Sequence, residues 1–106
     1  MKNLETTTTG SLFQHTGIMT HCGDYAGKYQ DEAIEILENL SDRYSDIFDD
    51  GDGWADIMFN SKTSKAYAVW ANGWLTEINA LCEYVEISEE DCPAAYRDMN
   101  AQKDNN

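Results

Sequence analysis

Apolar residues recur at three- and four-residue intervals through "KYQDEAIEILENLSDRYSDIF", Lys28 to Phe48. Tyr29, Ala33, Ile36, Leu37, Leu40, Tyr44 and Ile47 fall on one side of a helix. Asp31 and Glu32 lie in its first turns, where negative charge suits the positive end of the helix dipole. Gly51 and Gly53 are placed to stop it. The pattern therefore predicts one long amphipathic helix. "ADIMFN" (Ala55–Asn60) alternates, and "KAYAVWA" (Lys65–Ala71) is rich in Tyr, Val and Trp. With Ser61–Ser64 between them, the two segments predict a β-hairpin. Asn72-Gly73 marks another turn. Trp74, Ile78, Leu81 and Val85 then step by four, three and four, which predicts a second helix across "WLTEINALCEYVEI". Ser88 opens "SEED", a hydroxyl followed three positions later by an acid, and so predicts a helix N-cap. Pro93 is tolerated near that start, and the third helix would pass through Tyr96 and Met99.

Before the long helix the pattern is weaker. Leu12–His15 and Ile18–Cys22 flank Thr16-Gly17 and predict a short hairpin, and Gly23 and Gly27 break the pattern beyond it. Residues 1–10 read as a mobile polar arm and residues 102–106 as a frayed tail. The predicted organisation is a single α+β domain over residues 11–101: a long acidic amphipathic helix, a β-hairpin and one or two C-terminal helices. A chain of 106 residues supports one modest core. No apolar run approaches the length of a membrane span. "MKNLETTTTG" has no signal-peptide apolar region. Three cysteines, an odd number, fit a reducing cytoplasm better than a disulfide framework.

Charge changes the picture more than composition does. Seven basic residues face twenty acidic ones, for a net charge of −13, although 42% of residues are hydrophobic. Such a chain can build a core, but it repels anionic partners. Direct nucleic-acid binding and attachment to an anionic membrane are excluded; a basic protein surface suits it.

The stretch "DIFDDGDGWAD", Asp46 to Asp56, holds five aspartates and two glycines. An EF-hand needs oxygen ligands at loop positions one, three and five, Gly at six and Glu at twelve. With Gly51 at position six, Phe48 occupies position three and Ile57 position twelve. With Gly53 there, Phe48 opens the loop and Phe59 closes it. Both registers fail. A weaker calcium site using Asp50, Asp52 and Asp56 is the metal alternative in this turn. His15, His21, Cys22, Cys82 and Cys92 are the other metal candidates. They lack the paired C-x-x-C or H-x-x-x-H spacing of zinc modules. Cys82, beside an apolar stripe, reads as a small buried hydrophobe. No nucleophile elbow, Walker loop or G-x-G-x-x-G motif is present. The carboxylates lie opposite apolar stripes or in Gly-rich turns, where ordinary pKa values make poor acid–base catalysts. The sequence predicts no enzyme and no cofactor.

What remains is the layout of charge. Residues 31–56 hold ten acids, Asp31, Glu32, Glu35, Glu38, Asp42, Asp46, Asp49, Asp50, Asp52 and Asp56, against Arg43 alone. Residues 77–91 hold six more acids, Glu83 among them, with no base. Asp31, Glu35, Glu38 and Asp42 would share one helix face, opposite or flanking the core stripe. Like charges at that spacing destabilise a helix by about a few tenths of a kcal/mol each. Stability alone would intersperse lysines. A row of carboxylates instead imitates the charge of a nucleic-acid backbone. The predicted partner is a basic nucleic-acid-binding protein or complex. The contact set is Asp31, Glu35, Glu38, Asp42, Asp46, Asp49, Asp50, Asp52 and Asp56, with Trp54 as a more exposed aromatic anchor. Trp70, Trp74 and Tyr67 are assigned to the core. In kind, though without a motif that aligns it to a family, the chain is similar to small acidic phage and plasmid antagonists of restriction and CRISPR systems.

Overall fold

The structure is a computed structural model that describes residues 4–18, 20–49, 53–73 and 79–104. In chain order the elements are β1 (Glu5–Thr8), α1 (Thr9–Thr16), β2 (Thr20–His21), α2 (Gln30–Glu38), α3 (Tyr44–Phe48), β3 (Trp54–Asn60), β4 (Lys65–Ala71), β5 (Leu81–Ile87) and α4 (Pro93–Asp104). The strands form one antiparallel sheet in the order β1-β5-β4-β3-β2. The domain is thus mixed α+β, with a Cα radius of gyration of 12.7 Å, as expected for one compact unit of this length. Among the described residues no helix is long and apolar enough to cross a membrane.

Both faces of the sheet are covered. On one, Ala55, Ile57, Phe59, Ala68, Trp70, Val85 and Ile87 pack against Ala33 and Leu37 of α2, Ile47 of α3 and Ala95 and Met99 of α4. On the other, Met58, Tyr67, Val69, Cys82 and Tyr84 pack with Leu12 of α1 and with Ile18. This two-sided burial explains why β4 and β5 read as nearly continuous apolar runs instead of alternating ones. It also corrects the second predicted helix. Leu81–Ile87 is a strand between β1 and β4, and Cys82, Glu83, Tyr84 and Val85 are buried in succession. The helical spacing of its apolar residues was coincidental, and Tyr84, Val85 and Ile87 favour a strand. Trp74 to Ile78, the other half of that prediction, lie outside the described residues.

The N-terminal expectations change as well. Glu5–Thr8 is not a free arm. It pairs with β5 from Glu5↔Tyr84 to Thr8↔Leu81, so the threonines use their β-propensity at a sheet edge. The predicted first hairpin is a helix through His15 followed by the two-residue β2. Thr8 caps α1, its side-chain oxygen accepting from the Ser11 N–H. Gly17 ends α1 in the left-handed region at φ 66°, its N–H donating to the Phe13 carbonyl. A Cβ at Gly17 would lie 2.5 Å from Asn60 Nδ2. That amide donates to the Thr16 carbonyl, and its oxygen accepts from the Lys62 and Thr63 N–H groups to shape the β3–β4 turn. Gly17→Ala is therefore expected to destabilise the protein by about 1–2 kcal/mol, from left-handed strain together with displacement of Asn60. Urea denaturation measures this; an unchanged midpoint would show the cap to be dispensable.

At the C-terminus, α4 begins at Pro93 and not at Ser88. Ser88 and Asp91 form a turn of their own, in which Asp91 Oδ2 accepts from the Ser88 N–H at 2.7 Å and the Asp91 N–H donates to the Ser88 carbonyl. Pro93 then takes the first helical position, where its missing N–H costs nothing. The tail is helical to Asp104 because Gln102 is tied down. Its oxygen accepts from the Gly23 N–H, and its amide donates to the His21 and Gly23 carbonyls.

The long helix is the largest correction. It is two helices, α2 and α3, joined by an elbow at residues 39–43. Asn39, Ser41 and Asp42 have side chains that compete with the helical backbone. Ser41 does so visibly: its hydroxyl oxygen accepts from the Arg43 N–H at 3.2 Å.

Candidate protein-binding surface

The elbow is held from beneath. Glu83 projects from β5 into the core and is 1% exposed. One carboxylate oxygen accepts from the Trp70 indole N–H at 3.1 Å and from the Ser41 hydroxyl at 2.8 Å. The other accepts from the Thr6 hydroxyl at 2.8 Å and lies 4.0 Å from Arg43 Nε. A buried charge is tolerated only when it is surrounded by such partners. Glu83 therefore clamps edge strand β1, the sheet and the elbow together. The sequence placed Glu83 in an acidic surface block. The available signal was its position inside the apolar run "LCEYVEI".

Asp31, Glu35 and Glu38 all point outward from α2, and Asp42, Asp46 and Asp49 continue along the elbow and α3, all exposed. Arg43, the base within this row, has its Nε 4.0 Å from both Glu83 Oε2 and Asp46 Oδ2. Its Nε thus stands between buried Glu83 and Asp46 of the row itself. Asp50 and Asp52 lie outside the described residues.

Two members of the predicted contact set are not on this surface. Asp56 is 5% exposed. Its carboxylate accepts from the Gly27 N–H at 2.9 Å and the Ile57 N–H at 2.8 Å, so it anchors the loop after β2. Sequence placed Asp56 within the predicted strand Ala55–Asn60 and also in the acidic contact set; its place on β3 buries it. Trp54 is half-buried against the second core cluster, and its indole N–H donates to the Gly73 carbonyl. It is not an exposed anchor. Between α3 and β3, Gly53 sits against the Phe48 ring and the Ile47 carbonyl, leaving no room for a side chain.

Burial pushes the Asp56 carboxyl above its ordinary value, and the backbone N–H groups of Gly27, Ile57 and Tyr29, with His21, oppose the shift only in part. The neutral form is the better tolerated in the fold. Its stabilisation is complete below the unfolded-state value and is lost as pH rises through the raised folded-state value. The urea midpoint of the protein is expected to fall relative to that of Asp56→Asn as pH rises above about 4, the ordinary carboxyl range. Parallel pH profiles would contradict this.

The His and Cys residues proposed for metal or nucleophile chemistry are not gathered into one site; of the calcium candidates, Asp50 and Asp52 lie outside the described residues. Cys22 and Cys92 pack on one face of the sheet and Cys82 on the other. His15 is exposed on α1. Among the described residues no three His, Cys, Asp or Glu side chains are grouped to hold a metal ion. Burial raises the Cys22 thiol to about 12 and the Cys82 thiol to about 11, and raises that of Cys92. These are protonated, weakly nucleophilic thiols. Asp98, held low first by the Tyr29 hydroxyl at 2.5 Å and then by Lys28 Nζ at 2.9 Å, ties α4 to the segment before α2. A cleft of about 440 Å³ is lined by Ser64, Lys65, Glu86, Ser88, Asp91 and Tyr96. Its Lys65 and Glu86 are paired at 3.5 Å with both side chains half-exposed, and the Tyr96 hydroxyl is committed to the Ile87 carbonyl.

The fold and its surface define an α+β domain that presents a braced, acidic elbow. Compared with known protein families, curated proteins and solved structures, the chain matches none.

Proposed function

We propose that this is a non-catalytic acidic protein that imitates the charge of a nucleic-acid backbone and occupies the basic site of a DNA- or RNA-binding protein. It would act in the cytoplasm, as an antagonist of a restriction or CRISPR-type defence or as another regulator of such a protein. The observation that carries this reading is the outward row Asp31, Glu35, Glu38, Asp42, Asp46 and Asp49, six exposed carboxylates with Arg43, 4.0 Å from both Asp46 and buried Glu83, as the base among them. Along α2 these carboxylates advance by roughly 4.5–6 Å per step, an interval on the scale of backbone phosphates. The row carries mutual repulsion that folding does not require. A basic partner would relieve it and would be attracted at long range.

The test is a pull-down from bacterial lysate at low and high salt, followed by mass spectrometry. A DNA- or RNA-binding protein or complex is expected at low salt and lost at high salt, because its attraction is screened. Retention of no basic nucleic-acid-binding protein at low salt would overturn the proposal.

A further inference from the structure

Leu40 and Tyr44 have core spacing in the sequence, yet the elbow turns both outward, each 41% exposed. They account for two of the four large exposed hydrophobic residues among those described, with Phe13 and Tyr25 elsewhere. Flanking them in the chain are the exposed carboxylates of Glu38, Asp42, Asp46 and Asp49. Tyr44 is not a loose side chain. Its ring stacks on Phe48 with centroids 4.8 Å apart and planes at 26°, and both rings lean on buried Trp70 at 5.8 and 6.0 Å. The backbone beneath is fixed by the Ser41 hydroxyl, which donates to Glu83 at 2.8 Å. A buried carboxylate is a costly way to fill a core position. Here its partners include the elbow, which is thereby preorganised and loses little freedom on binding.

We infer that the 39–43 elbow and Tyr44, the first residue of α3, form the docking epitope of the acidic surface, with Leu40 and Tyr44 entering the base-stacking site of a single-strand nucleic-acid-binding protein while the flanking carboxylates take the places of phosphates. The inference rests on the charge-mimic reading and narrows its partner. A duplex keeps its bases stacked inside and presents phosphates outside, so its mimic needs charge alone. Proteins that hold single strands combine a basic groove with aromatic platforms for the bases. An acidic row interrupted by a fixed aromatic ring and an aliphatic side chain complements the second kind of site in both charge and apolar character.

Single-stranded and duplex DNA supports, each loaded with bacterial lysate, test this. The added protein is expected to release single-strand-binding proteins, identified by mass spectrometry, at least about tenfold more effectively than duplex-binding ones. Leu40→Gln and Tyr44→Ser are each expected to cut that release about tenfold, the loss typical of an interface anchor. Circular dichroism reports whether each variant folds. Leu40→Gln changes an exposed side chain outside the Tyr44–Phe48–Trp70 stack, and so remains decisive should Tyr44→Ser loosen that packing. Release mainly from duplex, or full release by folded Leu40→Gln, would overturn the inference and leave charge mimicry standing. No release from either support, alongside a positive salt-dependent pull-down, would likewise overturn only this inference. If the pull-down is also empty, both fail.

Discussion

Glu83→Ala is expected to lower the unfolding free energy by about 3–5 kcal/mol, the cost of removing one partner from a buried charged network. The change strands the indole N–H of fully buried Trp70, for which an unmatched donor alone costs about 1–3 kcal/mol. It also removes the acceptor for Ser41 and Thr6 and one of the two carboxylates 4.0 Å from Arg43 Nε, a buried atom with no hydrogen-bond partner of its own. In a domain of this size the loss corresponds to a melting-temperature drop of roughly 15–30 °C. Glu83→Gln keeps one acceptor oxygen, so a smaller loss is expected. Urea and thermal denaturation of both variants provide the measurement. An alanine variant as stable as the unaltered protein would mean that the clamp beneath the elbow contributes nothing net. The chain would then gain only conformational specificity from its buried carboxylate.

Joint replacement of Asp42, Asp46, Asp49 and Asp50 by asparagine is expected to weaken partner binding by about two orders of magnitude or more. Electrostatic steering alone changes association rates by roughly 10–10³-fold, and weaker charge pairing on the bound surface adds to that. Stability should hold or rise slightly. Asp42 and Asp46 are four residues apart and Asp46 and Asp49 three, so the change removes like-charge repulsion of about a few tenths of a kcal/mol per pair. The change also removes the ion pair of Arg43 with Asp46 at 4.0 Å, a surface pair of little value. Binding curves at several salt concentrations, with denaturation in parallel, separate the two effects. Undiminished binding by a folded variant would remove these carboxylates from the contact surface. Loss of binding together with loss of fold would instead show that they shape the elbow itself.

Much of the local architecture was legible where a segment has one buried side or a clear turn. The β3–β4 pairing followed from residue type and from the polar Ser61–Ser64 connection. Trp70 was assigned to the core and is fully buried. The α2 stripe of Tyr29, Ala33 and Leu37 does face the sheet. The period misled where the surroundings were two-sided or where polar side chains took over the backbone. β5 is buried on both faces, so its pattern carried no alternation and a helical spacing arose by chance. Leu40 and Tyr44 continued the helical stripe in register, but Ser41 and Glu83 bend the chain between α2 and α3 and turn both residues outward.

The acidic surface divides along the same line. Composition set the net charge of −13 and residue order its concentration in residues 31–56, because charge is a property of residue type and needs no fold. Whether a given carboxylate faces solvent is a property of place. Asp56 and Glu83 read like their neighbours in the chain, yet one anchors a loop and the other clamps three segments, because hydrogen-bond donors distant in sequence converge on them. Sequence by itself determined that this protein is an acidic α+β domain. Only the tertiary structure decided which charges remain outside, which are used to hold the fold, and that an aromatic ring stands among those left outside.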